Sequence, residues 1–173
     1  MSRLERPAVD IQISIEGGDW PEEAQLRALC RKTINAATRY LAEETDQPLP
    51  AVAPELSMLF TNDGAMREIN GEWRAKDQPT NVLSFPASPV APGEMPAPML
   101  GDIVLAFETI CNEANALERK FSDHLAHLIV HGYLHLFGYD HMTDADADIM
   151  EGHETRILAT IGVSDPYGNT DPA

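Results

Sequence analysis

The chain has 173 residues, 43% of them hydrophobic and 23% charged. At about 150 residues per domain, that length holds one domain with one real core. The composition excludes wholesale disorder, a collagen-like chain and a disulfide-built miniprotein. Twelve lysines and arginines against 28 aspartates and glutamates leave a net charge of −16. Such a chain repels nucleic acid at long range, so an RNA or DNA role must rest on a local basic or metal-bearing cleft. No apolar run approaches the roughly 18 residues of a membrane span, and no signal-peptide pattern follows Met1. The expectation is a cytoplasmic protein with no membrane partner. Cys30 and Cys111 form no C-x-x-C pair and read as reduced, buried thiols.

Val9, Ile11, Ile13 and Ile15 alternate with polar residues, which predicts a strand with one buried face, ended by Gly17-Gly18. Pro21 suits the first turn of a helix, with Glu22 and Glu23 at its positive end. Leu26, Leu29, Cys30, Ala37 and Leu41 carry its apolar stripe to about Glu44. A proline-containing loop over 46–54 leads to a second strand, marked by Leu56, Met58 and Phe60. Asn62 or Asp63 then caps a short helix bearing Met66 and Ile69. Val82 to Phe85 reads as a short strand stopped by Pro86. Prolines 86, 89, 92, 96 and 98 make 86–99 an extended, mobile surface loop within the domain.

Leu100 to Phe107 is a further strand. Helical patterns cover about 108–119, Ser122–Phe137 and Asp144–Ile161, the last capped by Thr143. The tail, 162–173, is turn-rich and reads as frayed. There are no internal repeats. Strands cluster early and helices late, which argues for one α+β domain over 1–161 with a sheet of about four strands.

The informative stretch is His131-Gly-Tyr-Leu-His135-Leu-Phe-Gly138-Tyr-Asp-His141. On a helix, residues four apart lie about 40° apart around the axis and one turn above each other, so His131 and His135 can share one metal. Gly138 is where such a helix should stop, because glycine accepts the left-handed conformation. The chain then turns back and His141 can reach the same ion. Three histidines leave a fourth position for water, the mark of a catalytic zinc site, and one zinc ion per chain is expected.

The same spacing occurs in the metzincin motif H-E-x-x-H-x-x-G-x-x-H, but Gly132 stands where a protease has its general-base glutamate. That departure argues against peptide hydrolysis. His124 and His127 precede the trio on nearly the same helical face. Either could support the site from behind or touch substrate, and either could be an ordinary helix histidine. Asp102 opens a strand and either holds a turn or lines the site. Arg74, near Lys76, offers a planar fork suited to phosphate oxygens. On residue logic alone, pairing with one of the surface acids explains Arg74 better than a phosphate contact does. Ser84 has no base partner, so no serine nucleophile is expected.

Three stretches, W-R-x-K-D-x-P-T-N-V-L-S-F-P from Trp73, G-D-I from Gly101 and H-G-x-L-H-L-x-G-Y-D-H from His131, occur in this order. Together they resemble the YbeY family of bacterial rRNA maturation factors over about residues 54–155. The resemblance implies a zincin-like α+β domain with a mixed sheet. It implies a zinc-dependent, single-strand-specific endoribonuclease acting at the 3′ end of small-subunit rRNA and in ribosome quality control. It implies His131, His135 and His141 as metal ligands, and Arg74 as important for RNA cleavage. Arg74 and His131 are then the catalytic candidates, Arg74 and Lys76 contact substrate, and His127 and Asp102 are candidates for a supporting shell. Expected partners are single-stranded rRNA and the small ribosomal subunit or a basic ribosomal protein. Two other readings remain: a non-catalytic ribosome-assembly factor with a structural zinc, and a metallohydrolase of another small substrate.

Overall fold

A computed structural model describes residues 9–167. The elements are β1 (Asp10–Ile15), α1 (Glu23–Glu44), β2 (Glu55–Thr61), α2 (Asp63–Arg74), β3 (Val82–Pro86), β4 (Met99–Ala106), α3 (Phe107–Ala116), α4 (Phe121–Leu136) and α5 (Asp144–Thr160). The strands form one mixed sheet in the order β1-β2-β4-β3. β1, β2 and β4 run parallel, and β3 pairs antiparallel with β4. This is the α+β domain with a four-stranded mixed sheet that the pattern predicts. No helix among the described residues is long and apolar enough to cross a membrane.

Strand alternation divides the sheet into two chemically distinct faces. Ile11, Ile13, Leu56, Met58, Phe60, Ile103 and Leu105 meet the main core, which α1, α3, α4 and α5 complete. The other face is only partly covered. There α2 lays Met66 and Ile69 against Leu59, Leu83, Phe85, Val104 and Ala106.

α4 is the central strut. Leu125, Ala126, Leu128, Ile129, Val130, Tyr133, Leu134 and Leu136 are all buried, so apolar contacts surround it on nearly every side. It contacts α1, α3, α5, β3 and β4. The close approach to the sheet depends on Gly132, where a Cβ would stand 3.0 Å from Ser84 Oγ and 3.1 Å from Ile103 Cγ2. Ser84 Oγ donates to the Gly132 carbonyl at 3.0 Å and pins β3 to the helix.

Helix boundaries follow local chemistry. Asn62 caps α2 by accepting from the Ala65 N–H at 2.8 Å, and Thr143 caps α5 by accepting from the Asp146 N–H at 3.1 Å. α1 starts at Glu23, two residues after Pro21, because Glu22 stays extended with ψ 145°. α3 ends at Ala116, short of 119, where Glu118 turns the chain with φ 55°. α4 ends as Gly138 adopts φ 96° and the Tyr139 N–H closes on the Leu134 carbonyl at 3.2 Å.

Two segments expected to be loose make specific contacts. The proline-rich segment 86–99 is bonded to Gln47. Gln47, 4% exposed, donates through Nε2 to the Glu94 carbonyl at 2.7 Å, and its Oε1 accepts from the Gly93 N–H at 3.1 Å. The segment also lies against the end of α4, where a Cβ on Gly138 would fall 2.3 Å from the Val90 carbonyl oxygen. The described part of the tail also makes contacts. Val163 is buried, Arg119 donates to the Ser164 carbonyl, and Tyr167 bonds to Glu154 of α5. The remainder, 168–173, lies outside the described residues.

Gly138 is thus fixed both by its φ and by the backbone of the proline-rich segment. Gly138→Ala should lower unfolding stability by more than about 1 kcal/mol, read by urea denaturation. Wild-type stability in that variant would contradict the packing.

Candidate metal centre

α4 carries His131 and His135 one turn apart at its C-terminal end. The Gly138 turn then brings His141 back to them. One ring nitrogen from each of the three lies within 4.8 Å of the others. His131 Nε2 and His135 Nε2 are 3.2 Å apart. Two nitrogens on a tetrahedral zinc, each about 2.05 Å from it, would be about 3.3 Å apart. The group suits a divalent ion for a second reason. His131 Nδ1 faces the Glu154 carboxylate, Oε2 at 2.6 Å, so its proton sits there and its Nε2 presents a lone pair. Burial, then the neighbouring His131, push His135 down to about 4, so it is neutral at pH 7. The three ring nitrogens form a group that could hold a metal ion.

Glu154 is the residue the sequence reading missed. It belongs to α5 and is fully buried beside Met150, Ile157 and Leu158. Its Oε2 holds His131, and its Oε1 accepts from His127 Nε2 at 2.9 Å and from the Tyr167 hydroxyl. Burial alone would raise this carboxyl. The hydrogen bonds from His127 and His131, with electrostatic attraction to these rings, hold it down at about 2. The one signal in the sequence was a carboxylate at position 154, in line with the apolar stripe Met150, Ile157 and Leu158.

His127 therefore supports the group at one remove, through Glu154. His124 is buried farther along α4, with Nε2 2.9 Å from Glu113 Oε1, and does not join the cluster. Asp102 is not brought to it either. Its strand alternation puts it on the opposite face of the sheet from Ile103, in a groove with Gln12, Ser57 and Trp73. A Cβ on Gly132 would meet Ser84 Oγ at 3.0 Å, Ile103 Cγ2 at 3.1 Å and Val82 Cγ2 at 3.3 Å, which leaves little room for the glutamate a protease carries at this position.

Arg74 does reach the site. It closes α2, lies over the Phe85 ring with Cζ 5.2 Å from the centroid, and donates to the Ser84 carbonyl at 2.9 Å. Arg74, Asn81, Ser84, Asp140 and the three histidines line one open cleft of ≈ 530 Å³. Lys76 is exposed just beyond α2 and does not line this cleft. Sequence logic also passed over Asn81 and Asp140. Asn81 donates to Glu113 at 3.0 Å, and Asp140 Oδ1 accepts from the His141 N–H at 2.8 Å.

Two outcomes follow. Glu154→Gln cannot hold His131 and His127 as a carboxylate does, and should weaken metal binding by about 10–100-fold. Chelator competition reads this, and unchanged affinity would remove Glu154 from the support of the site. In the metal-free protein, the folded state keeps His135 neutral while the unfolded chain takes up a proton below pH 6.5. Stability present above pH 6.5 is then lost as pH falls toward 4. Burial of His124 and His153 acts in the same direction. His135→Ala should flatten the urea stability profile across that window, and an unchanged slope would contradict the burial of His135.

The comparisons agree with this geometry. The family described as Endoribonuclease YbeY matches residues 12–162. A Rhizobium meliloti (strain 1021) protein named Endoribonuclease YbeY is 61% identical over 165 residues, covering 95% of this chain and 98% of the relative. A protein of the same name from Agrobacterium fabrum is 57% identical over the same shares. A solution structure of a Thermotoga maritima protein has the same fold, with a TM-score of 0.54 at 20% identity, covering 94% of this chain and 98% of that one. With its three-histidine group and a family match across nearly all of its described length, the chain belongs to the endoribonuclease YbeY family.

Proposed function

We propose that this protein is a zinc-dependent, single-strand-specific endoribonuclease that acts in the cytoplasm on rRNA, at the 3′ end of the small-subunit rRNA and in ribosome quality control. The observation that carries the reading is the shared cleft. An arginine with donors to spare and three convergent imidazoles face the same space in a protein of net charge −16. The names of the relatives support the same chemistry.

His131, His135 and His141 would hold one zinc ion. A zinc bound there supplies Lewis acidity and a water of lowered pKa. Glu154 keeps the His131 proton on Nδ1 and so presents Nε2 to the metal. Arg74 is steadied by Ser84 and Phe85 and offers its remaining N–H groups to a phosphate oxygen as charge develops in the transition state. Lys76, outside the cleft, would help to position the RNA backbone. The acidic exterior keeps bulk nucleic acid at a distance and suits contact with a basic protein of the small ribosomal subunit.

Single-turnover cleavage of a single-stranded RNA at two salt concentrations, with zinc measured in every variant, tests this reading. His135→Ala should lose zinc and activity together. Arg74→Ala should keep its zinc and cleave about 10²–10³-fold more slowly. Arg74→Lys should recover part of the loss, because it keeps the charge without the bidentate fork. Lys76→Ala should show a smaller, salt-sensitive defect. Wild-type cleavage by Arg74→Ala would remove Arg74 from the mechanism. Chelator-sensitive cleavage of an unstructured peptide would overturn the assignment to phosphodiester chemistry.

A further inference from the structure

On the other side of His131 lies a second cleft of ≈ 470 Å³, which shares Asn81 and His131 with the first. Its walls include Glu113, Leu117, His127, Leu128 and Tyr167. The two clefts differ in chemistry. The first contains Arg74, whereas among the described residues the second is lined by no lysine or arginine and by one carboxylate, that of Glu113. A phosphate there would meet the Glu113 carboxylate without the guanidinium that the first cleft offers. Leu117, by contrast, is a large apolar side chain left 58% exposed, and Leu128 and the Tyr167 ring extend the apolar wall. Asn81, Glu113 and His127 provide polar groups along it. Glu113 is held in place by His124 at 2.9 Å and Asn81 at 3.0 Å.

An apolar wall edged with fixed hydrogen-bonding groups, next to a phosphate-binding cleft, matches the alternation of an RNA strand. We propose that this second cleft seats the unpaired nucleobase adjacent to the phosphate that lies between Arg74 and the three histidines. The proposal rests on the ribonuclease reading and deepens it. A base reaches this cleft only when it is splayed out of a helix, which makes single-strandedness a requirement of the site itself.

The test uses the full chain loaded with zinc. The probes are short single-stranded RNAs blocked at each 2′-hydroxyl, with one abasic residue walked along the strand. Fluorescence anisotropy reads binding to wild type, Leu117→Ser and Leu117→Trp, an exposed position at the end of α3 where both variants should fold. In wild type, one abasic position should weaken binding by about fivefold or more, the lower end of what seating a base contributes. Leu117→Ser should shrink that penalty at the same position alone, and Leu117→Trp should enlarge it. No penalty at any position, or one equal in all three proteins, would overturn the proposal. Cleavage of unblocked RNA is scored separately. Cleavage without a Leu117-dependent base penalty removes the base seat and leaves the ribonuclease. A Leu117-dependent penalty without cleavage retains the base seat and removes the ribonuclease.

Discussion

The buried carboxylate of Glu154 is the interaction on which the site depends. An ionised acid out of water is costly unless it is paired and hydrogen-bonded on all sides. Glu154 meets that condition with His127 and His131 from α4 and with Tyr167 from beyond α5. The same contacts join α5 to α4, hold the His131 ring and bring Tyr167 onto Glu154. The packing of α5 and the orientation of the His131 ring are therefore linked through Glu154. Core packing alone would leave the imidazole free to rotate about its own bonds.

α4 transmits this order to the rest of the molecule. It is buried nearly all round, so its axis is set by the sheet and by three helices. Its C-terminus places the histidines where β3 and the end of α2 also arrive, and those two elements supply the cleft's opposite wall. The short β3 runs antiparallel along β4 and receives a hydrogen bond from Arg74 at the Ser84 carbonyl. Ser84 thus links both walls, accepting from Arg74 through its backbone and donating to Gly132 through its side chain. In a protein of net charge −16, Arg74 and the three histidines are brought together at that meeting point.

Much of this was legible in the sequence. Period-two alternation gave the strands, and Asn62, Thr143 and Gly138 marked helix ends because capping is local chemistry. The i, i+4 histidine pair, the glycine stop and the third histidine announced the metal group for the same reason. Glu154 was not legible, because its partners stand 23 and 27 residues away and nothing local distinguishes it from the other acids of α5. Asp102 was visible as a polar residue beside a site motif, but its face of the sheet is decided by strand register. The proline-rich segment looked free because its restraint, Gln47, lies more than 40 residues earlier. The tail looked frayed because Tyr167 finds its partners only after α5 has docked.

Three imidazoles, ordered by a buried carboxylate, would hold one metal in the cleft that Arg74 also lines. X-ray absorption at the zinc edge of the loaded protein tests this arrangement most directly. The predicted spectrum has three nitrogens at about 2.0–2.1 Å, with imidazole scattering, and one light-atom ligand at about 2.0 Å. Sulfur at about 2.3 Å, or an oxygen-rich shell with fewer than three imidazoles, would contradict the account.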